Sequence, residues 1–168
     1  FPVVAAPAGM ALGGGCEIVL AAAAVQAHAE SYMGLVEVGV GVIPGFGGCK
    51  ELVIRAMLNK KRPGGAMPAL SGVFEAISTA KVATSAAEAS DMMILRDGDR
   101  VTMNRKRVLA DAKARALEMV DGYAKPEPVE VNLPGATAAA AFDMAVSGFV
   151  EMGRATAYDG VVSEQVAR

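Results

Sequence analysis

Tryptophan is absent from these 168 residues, and aromatic side chains make up only 5% of them. With 53% hydrophobic residues, the core must be filled by aliphatic side chains and by close backbone approach at Ala and Gly. Positive charge is in no excess: 16 Lys and Arg stand against 18 Asp and Glu, a net charge of −2. Without a basic stripe to neutralise phosphates, a nucleic-acid binder is excluded. No apolar run reaches the ~20 residues that span a bilayer, and Ile18 to Val25 falls far short. No basic segment leads into an apolar one at the start, so no signal peptide is read. Two cysteines, Cys16 and Cys49, are too few for a disulfide framework and lack metal-ligand spacing. The expectation is a reduced, cytoplasmic protein with no membrane partner and no metal. The opening residue is Phe1 rather than Met, which suggests a piece of something longer.

Several chemistries are also missing. No G-x-G-x-x-G follows a strand and no GK[ST] loop occurs, so the chain shows no dinucleotide or phosphate-loop site. His28 is the single histidine. A Ser-His-Asp triad would have to use it, yet neither His28 nor Ser31 stands in a nucleophile elbow. A packing or surface role is the reading for His28. Lys60-Lys61-Arg62 reads as a solvated loop, with contact to substrate phosphates as the alternative.

The pattern along the chain gives a glycine-punctuated α/β front and a mainly helical back. Residues 2–6 form a short buried strand closed by Pro7 and Gly9. After Gly13–Gly15 the run EIVLAAAAV predicts a buried helix opening near Gly14, and 25–33 a strand and turn. Residues 35–43 are β-branched and apolar with one Glu inside, which predicts extended structure until Pro44. A helix is expected over 49–58, a Gly/Pro loop over 59–68 and a helix around 69–80. Ser85 with Glu88 makes a candidate capping box, and Asp97-Gly98 a turn. Asn104 is expected to cap a long helix to about Val120, stopped by Gly122. Residues 123–135, with three prolines, read as a connector before helices over 136–152 and 157–167. Three regions result: 1–58, 59–103 and 104–168.

Two acidic residues stand out. Glu17 falls in the first turn of the helix that follows three glycines. Such glycines let backbone approach a ligand, and first-turn N–H groups point outward with the helix dipole behind them, the physics of an oxyanion hole. A tight helix–strand packing motif, with Glu17 a dipole-stabilised surface acid, is the other reading. Glu37 lies among Leu35, Val36, Val38 and Val40, where an ionised carboxylate is costly unless exposed or hydrogen-bonded. It is either a strand residue facing water or a desolvated carboxyl with a raised pKa. Cys16, beside Glu17, is either a small packing residue or a thiol acidified by the helix start. Two carboxyls beside outward N–H groups suit proton abstraction or water addition next to a carbonyl. Spacing alone does not bring them together.

The runs FPVVAAPAGMALGGGCEIVLA and YMGLVEVGVGVIPGFGG resemble the signature of the enoyl-CoA hydratase/isomerase (crotonase) family, closely over residues 1–49. The SAAEA segment at 85–89 is similar to the family's helix after the core. The resemblance implies an α/β fold: the C-terminal part of a spiral core of ββα units over 1–58, a family-specific insert and helical region over 59–103, and a helical region over 104–168. It implies that Glu17 and Glu37 form the hydratase pair and that Gly14 donates an oxyanion-hole N–H. The reaction implied is hydration of a trans-2-enoyl-CoA thioester in fatty-acid β-oxidation, in a trimer or multiple of it. No cofactor is expected in this chain, and NAD only where a dehydrogenase is fused elsewhere. Pro7-Ala8 replaces the usual Val-Asn, Ala23 a common Asp, and the loop near 59–69 is longer by roughly a dozen residues, within ordinary tolerance. That insert and the block from AMPAL to DRVTMNRKRVLADAKARAL look more like the hydratase part of proteins that also carry a 3-hydroxyacyl-CoA dehydrogenase. The family's partner oxyanion donor and much of its adenine pocket precede the position of Phe1, so the isolated chain is expected to be nearly inactive. The alternatives are an isomerase of the same fold, a non-catalytic acyl-CoA-binding or oligomerisation module and, more distantly, a protease of a related spiral fold.

Overall fold

A computed structural model of the protein describes residues 1–59 and 65–167. Lys60-Lys61-Arg62 and the centre of the expected loop lie outside the described residues. Among the described residues, five short strands precede or interleave with seven helices: β1 (Val4–Ala5), β2 (Met10–Leu12), α1 (Gly14–Ala21), β3 (Ala24–His28), β4 (Tyr32–Gly34), α2 (Gly48–Leu58), α3 (Ala66–Ser78), α4 (Ala86–Asp91), β5 (Arg100–Thr102), α5 (Val108–Glu118), α6 (Ala136–Glu151) and α7 (Ala157–Val166). Single 3₁₀ turns cover Glu37–Val40 and Arg105–Arg107. The strands make two parallel sheets, one in the order β1-β3-β5 and one pairing β2 with β4. The mixed α/β architecture expected from the sequence is present.

Every residue of β3 is buried, as befits the central strand of a parallel sheet covered on both faces. Its polar groups are paired: Gln26 Nε2 donates to Thr102 Oγ1 at 2.8 Å, and that hydroxyl donates to Asp111 at 2.8 Å. The Arg115 guanidinium donates to the Val25 and Gly98 carbonyls, and the Val25 N–H donates to Asp99 at 2.8 Å. The main core gathers Leu20, Val25, Met33, Val38, Ile77 and Ile94, and a second cluster holds Leu70, Phe74, Ala138, Phe142 and Val146. Phe74 and Phe142 stack with centroids 4.4 Å apart.

Some expectations need correction. The helix predicted through Ala21-Ala22-Ala23-Ala24 stops at Ala21, because Ala24 pairs with Val4 across β1–β3. Alanine favours helix, but tertiary pairing wins, and two arginines take the carbonyls at the break. Arg55 donates to Leu20 O at 2.6 Å, and Arg96 to Ala22 O and Ala23 O at 2.9 and 3.1 Å. Residues 35–43 are not extended: Glu37–Val40 is a 3₁₀ turn closed by Gly41 at φ 81°. Asn104 caps Lys106 N–H at 3.0 Å and opens only the short 3₁₀ turn, after which α5 ends at Glu118. Ser85 accepts from Glu88 N–H, but the Glu88 carboxylate turns to the Thr84 N–H and hydroxyl instead of closing the box. Strands β2 and β5 were too short and too poorly alternating to be read from the sequence.

Candidate active site

Gly13 makes the front of the site. At φ 55° it adopts a backbone that L side chains rarely tolerate, and its N–H donates to Gly34 O at 2.9 Å, tying the start of α1 to β4. A Cβ there would lie 3.3 Å from Glu37 Oε1. Gly14, the first residue of α1, is exposed, and nothing lies within 4 Å of where its Cβ would be. Its N–H belongs to the first helical turn, where donors lack partners inside the helix.

Glu17, one turn further on, points inward and is only 4% exposed. Its Oε1 accepts two backbone N–H groups, from Phe46 at 2.8 Å and Gly48 at 2.9 Å. These donors come from the glycine-rich turn that starts α2, where Gly47 has φ 101°. The α2 start thus does for Glu17 what a helix N-terminus does for an anion. Backbone and side chain touch closely: a Cβ on Gly48 would lie 3.0 Å from Glu17 Cγ and 2.9 Å from Leu35 Cδ2. Oε2 of Glu17 has no protein partner among the described residues.

Glu37 is held differently. It opens its 3₁₀ turn half-buried, and its Oε2 is buried with no hydrogen-bond partner among the described residues. Burial pushes its carboxyl above the ordinary range, the Glu17 charge adds to the rise, and the N–H groups of Glu37 and Val36 oppose it in part. The charges of Glu17 and Glu37 both also reach Cys16 and Cys49. The two charges, twenty positions apart in sequence, are thus felt at the same two thiols, and the Glu37 carboxylate lies against Gly13.

Burial first, and then the Glu37 charge, push the Cys16 thiol up to about 12; it is a packing residue and not an acidified thiol. His28 is buried, its Nε2 3.2 Å from Met103 O and its Nδ1 accepting from Glu30 N–H at 3.3 Å, so it too serves packing. Among the described residues no group of three or more His, Cys, Asp or Glu could hold a metal, and no helix is long and apolar enough to cross a membrane. The sequence reading missed the Phe46 and Gly48 donors. The available signal was a second glycine pair, Gly47-Gly48, opening a helix as Gly13-Gly14 does.

The same arrangement of elements occurs in solved structures. A carnitinyl-CoA dehydratase from Mycobacterium avium 104 superposes with a TM-score of 0.56 and 28% identity, over 73% of this chain and 41% of that one. An enoyl-CoA hydratase from Mycobacterium tuberculosis H37Rv gives 0.55 and 22%, over 98% of this chain and 53% of that one. The chain has the enoyl-CoA hydratase fold. A crotonase-type ββα core leading into a helical region thus stands as expected. Among curated proteins, a probable 3-hydroxyacyl-CoA dehydrogenase of Bacillus subtilis is 46% identical over 155 residues, which cover 89% of this chain and 19% of that protein. A short-chain-enoyl-CoA hydratase of Clostridium acetobutylicum is 49% identical over 51 residues, 30% of this chain and 20% of that one. The chain thus spans about a fifth of the length of these curated relatives. No protein-family model matches it.

Proposed function

We propose that these residues form part of an enoyl-CoA hydratase that adds water across the double bond of a trans-2-enoyl-CoA in fatty-acid β-oxidation. The single observation behind this is the pair of carboxyls in unlike settings. Glu17 has one oxygen anchored by two backbone donors, and Glu37 has an oxygen with no partner among the described residues and a carboxyl whose pKa burial raises. Pairs of acids set apart by environment mark acid and base roles.

In this reading Glu17, fixed through Oε1, takes a proton from water through Oε2 as the water oxygen bonds to C3. The C2–C3 π electrons move toward the thioester carbonyl, whose growing charge meets the Gly14 N–H. Glu37 then delivers its proton to C2, and exchange with solvent returns each carboxyl to its starting state. One such oxyanion donor is worth ~2.7–4 kcal/mol in the transition state. No cofactor takes part in this step.

The relatives named for 3-hydroxyacyl-CoA dehydrogenase and for hydratase activity support a bifunctional protein, with NAD used only by a fused dehydrogenase. A cytoplasmic homo-trimer, or a multiple of it, belongs to the same proposal. The test is steady-state hydration of crotonyl-CoA by the full-length native protein, with Glu17→Gln and Glu37→Gln beside it. Hydration lost in both variants is expected. Full hydration by Glu17→Gln would remove Glu17 from the mechanism, and a double-bond shift on a 3-enoyl-CoA that survives in Glu17→Gln, without hydration by the native protein, would replace the proposal with an isomerase acting through Glu37.

A further inference from the structure

The 3₁₀ turn that presents Glu37 is held by two helices. Its Val38 enters the main core, which Val162 of α7 also reaches. Gly39 meets the end of α3, where a Cβ on the glycine would lie 3.3 Å from Ala80 Cβ. Gly41 closes the turn at φ 81°, and the N–H groups of Gly41 and Val42 both donate to Glu37 O, the latter at 3.1 Å. Tyr158, in the first turn of α7, lies against Gly41. A Cβ on Gly41 would lie 2.8 Å from Tyr158 Cε1, and the Tyr158 hydroxyl donates to Gly41 O at 3.3 Å. Tyr158 and Val162 are four residues apart, so they share one face of α7. The Thr156–Asp159 capping box fixes the start of that helix, and Gly160 brings it close to Val146 and Val150 of α6.

We infer that Tyr158 is a positioning residue for hydration: its ring clamps Gly41 and so fixes the turn that aims the Glu37 carboxyl, a role that rests on the hydratase reading. The carboxyl has no outside anchor to replace that clamp. The N–H groups that act on it are those of Val36 and Glu37, within the turn or at its edge, and Oε2 has no partner among the described residues. Where the turn goes, the carboxyl goes. The ring carries the contact, because an exposed hydroxyl bond at 3.3 Å exchanges with water at little net gain. Displacing a reacting group by as little as ~1 Å can cost ~10²-fold in rate, so a clamp on the backbone of the turn is felt in kcat.

Tyr158 is exposed and stands in a helix, where alanine is the best helix former, so Tyr158→Ala leaves folding intact. The full-length protein, Tyr158→Ala and Tyr158→Phe would be assayed for kcat and KM on crotonyl-CoA, and for amide hydrogen exchange at Val42, whose N–H closes the turn onto Glu37 O. In Tyr158→Ala kcat is expected to fall about tenfold or more with KM little changed, and Val42 to exchange about tenfold faster as the turn opens locally. Tyr158→Phe, which keeps the ring, is expected to restore both. A native kcat in Tyr158→Ala overturns the inference, and so does a kcat lost with no change in Val42 exchange. Equal damage in Tyr158→Phe overturns the ring as the clamp. Should the native protein hydrate no crotonyl-CoA, the hydratase reading fails alone, and exchange decides the clamp: faster in Tyr158→Ala and restored in Tyr158→Phe supports it, unchanged in Tyr158→Ala overturns it.

Discussion

The start of α2 and the 3₁₀ turn after β4 each hold a glutamate, and they hold them in opposite ways. Around Glu17 the backbone supplies two short N–H bonds and near-complete burial. Around Glu37 the turn half-buries the carboxyl and leaves Oε2 with no partner among the described residues, and burial raises its pKa. The contrast teaches that two residues of one type need not share a setting: local backbone anchors one glutamate with two N–H groups and gives the other, at Oε2, no partner among the described residues.

The comparison breaks most sharply by substitution. Glu17→Gln and Glu37→Gln should each lower kcat for crotonyl-CoA hydration by ~10²–10⁴, the range of a positioned proton-transfer group. A loss confined to one of them would dissolve the pair. Stability comes next. Arg55 binds three carbonyls, those of Leu20, Met93 and Ile94, and burial lowers its pKa to about 10. Arg55→Met leaves these groups without their donor and should cost about 3 kcal/mol or more by urea denaturation, from the low end of ~1–3 kcal/mol for each of three groups left unpaired.

Gly48→Ala sharpens the contrast from the other side. The added methyl would crowd Leu35 and Glu17 at 2.9 and 3.0 Å, for a loss of ~1–3 kcal/mol as overpacking and a fall in kcat as Glu17 moves. A change in stability alone would show that the cradle does not set the geometry of Glu17. For pH the sign follows from the raised carboxyl of Glu37. Folding binds its proton more tightly than the unfolded chain does, so its contribution to stability is full below the unfolded pKa and is lost as pH rises through the folded one. Glu37→Gln should remove that loss, and its stability should therefore fall less than that of the native protein between acid and neutral pH. The smallest effect belongs to Tyr158→Phe. It deletes an exposed 3.3 Å bond to Gly41 O, and a change within ~0.5 kcal/mol is expected.

Much of the site was legible because its parts are local. Gly13-Gly14 ahead of Glu17 opens a helix in the sequence as in the structure, and the helices expected over 49–58, 136–152 and 157–167 match Gly48–Leu58, Ala136–Glu151 and Ala157–Val166. What was not legible depends on distant partners. Four successive alanines cannot report that the last of them pairs with Val4. The valines of 36–42 favour strand, yet Gly39 and Gly41 let the chain curl into the turn that presents Glu37. The grip on Glu17 comes from N–H groups 29 and 31 residues away, and backbone donors leave no side-chain signature.

The most direct test is a carbon-detected NMR titration of the Glu37 side-chain carboxyl in the native protein and in Glu17→Gln. Coupled acids predict a Glu37 pKa above the ordinary glutamate range that drops once the Glu17 charge is removed. A Glu37 carboxyl that titrates in the ordinary range, or that ignores the loss of Glu17, would contradict a shared site.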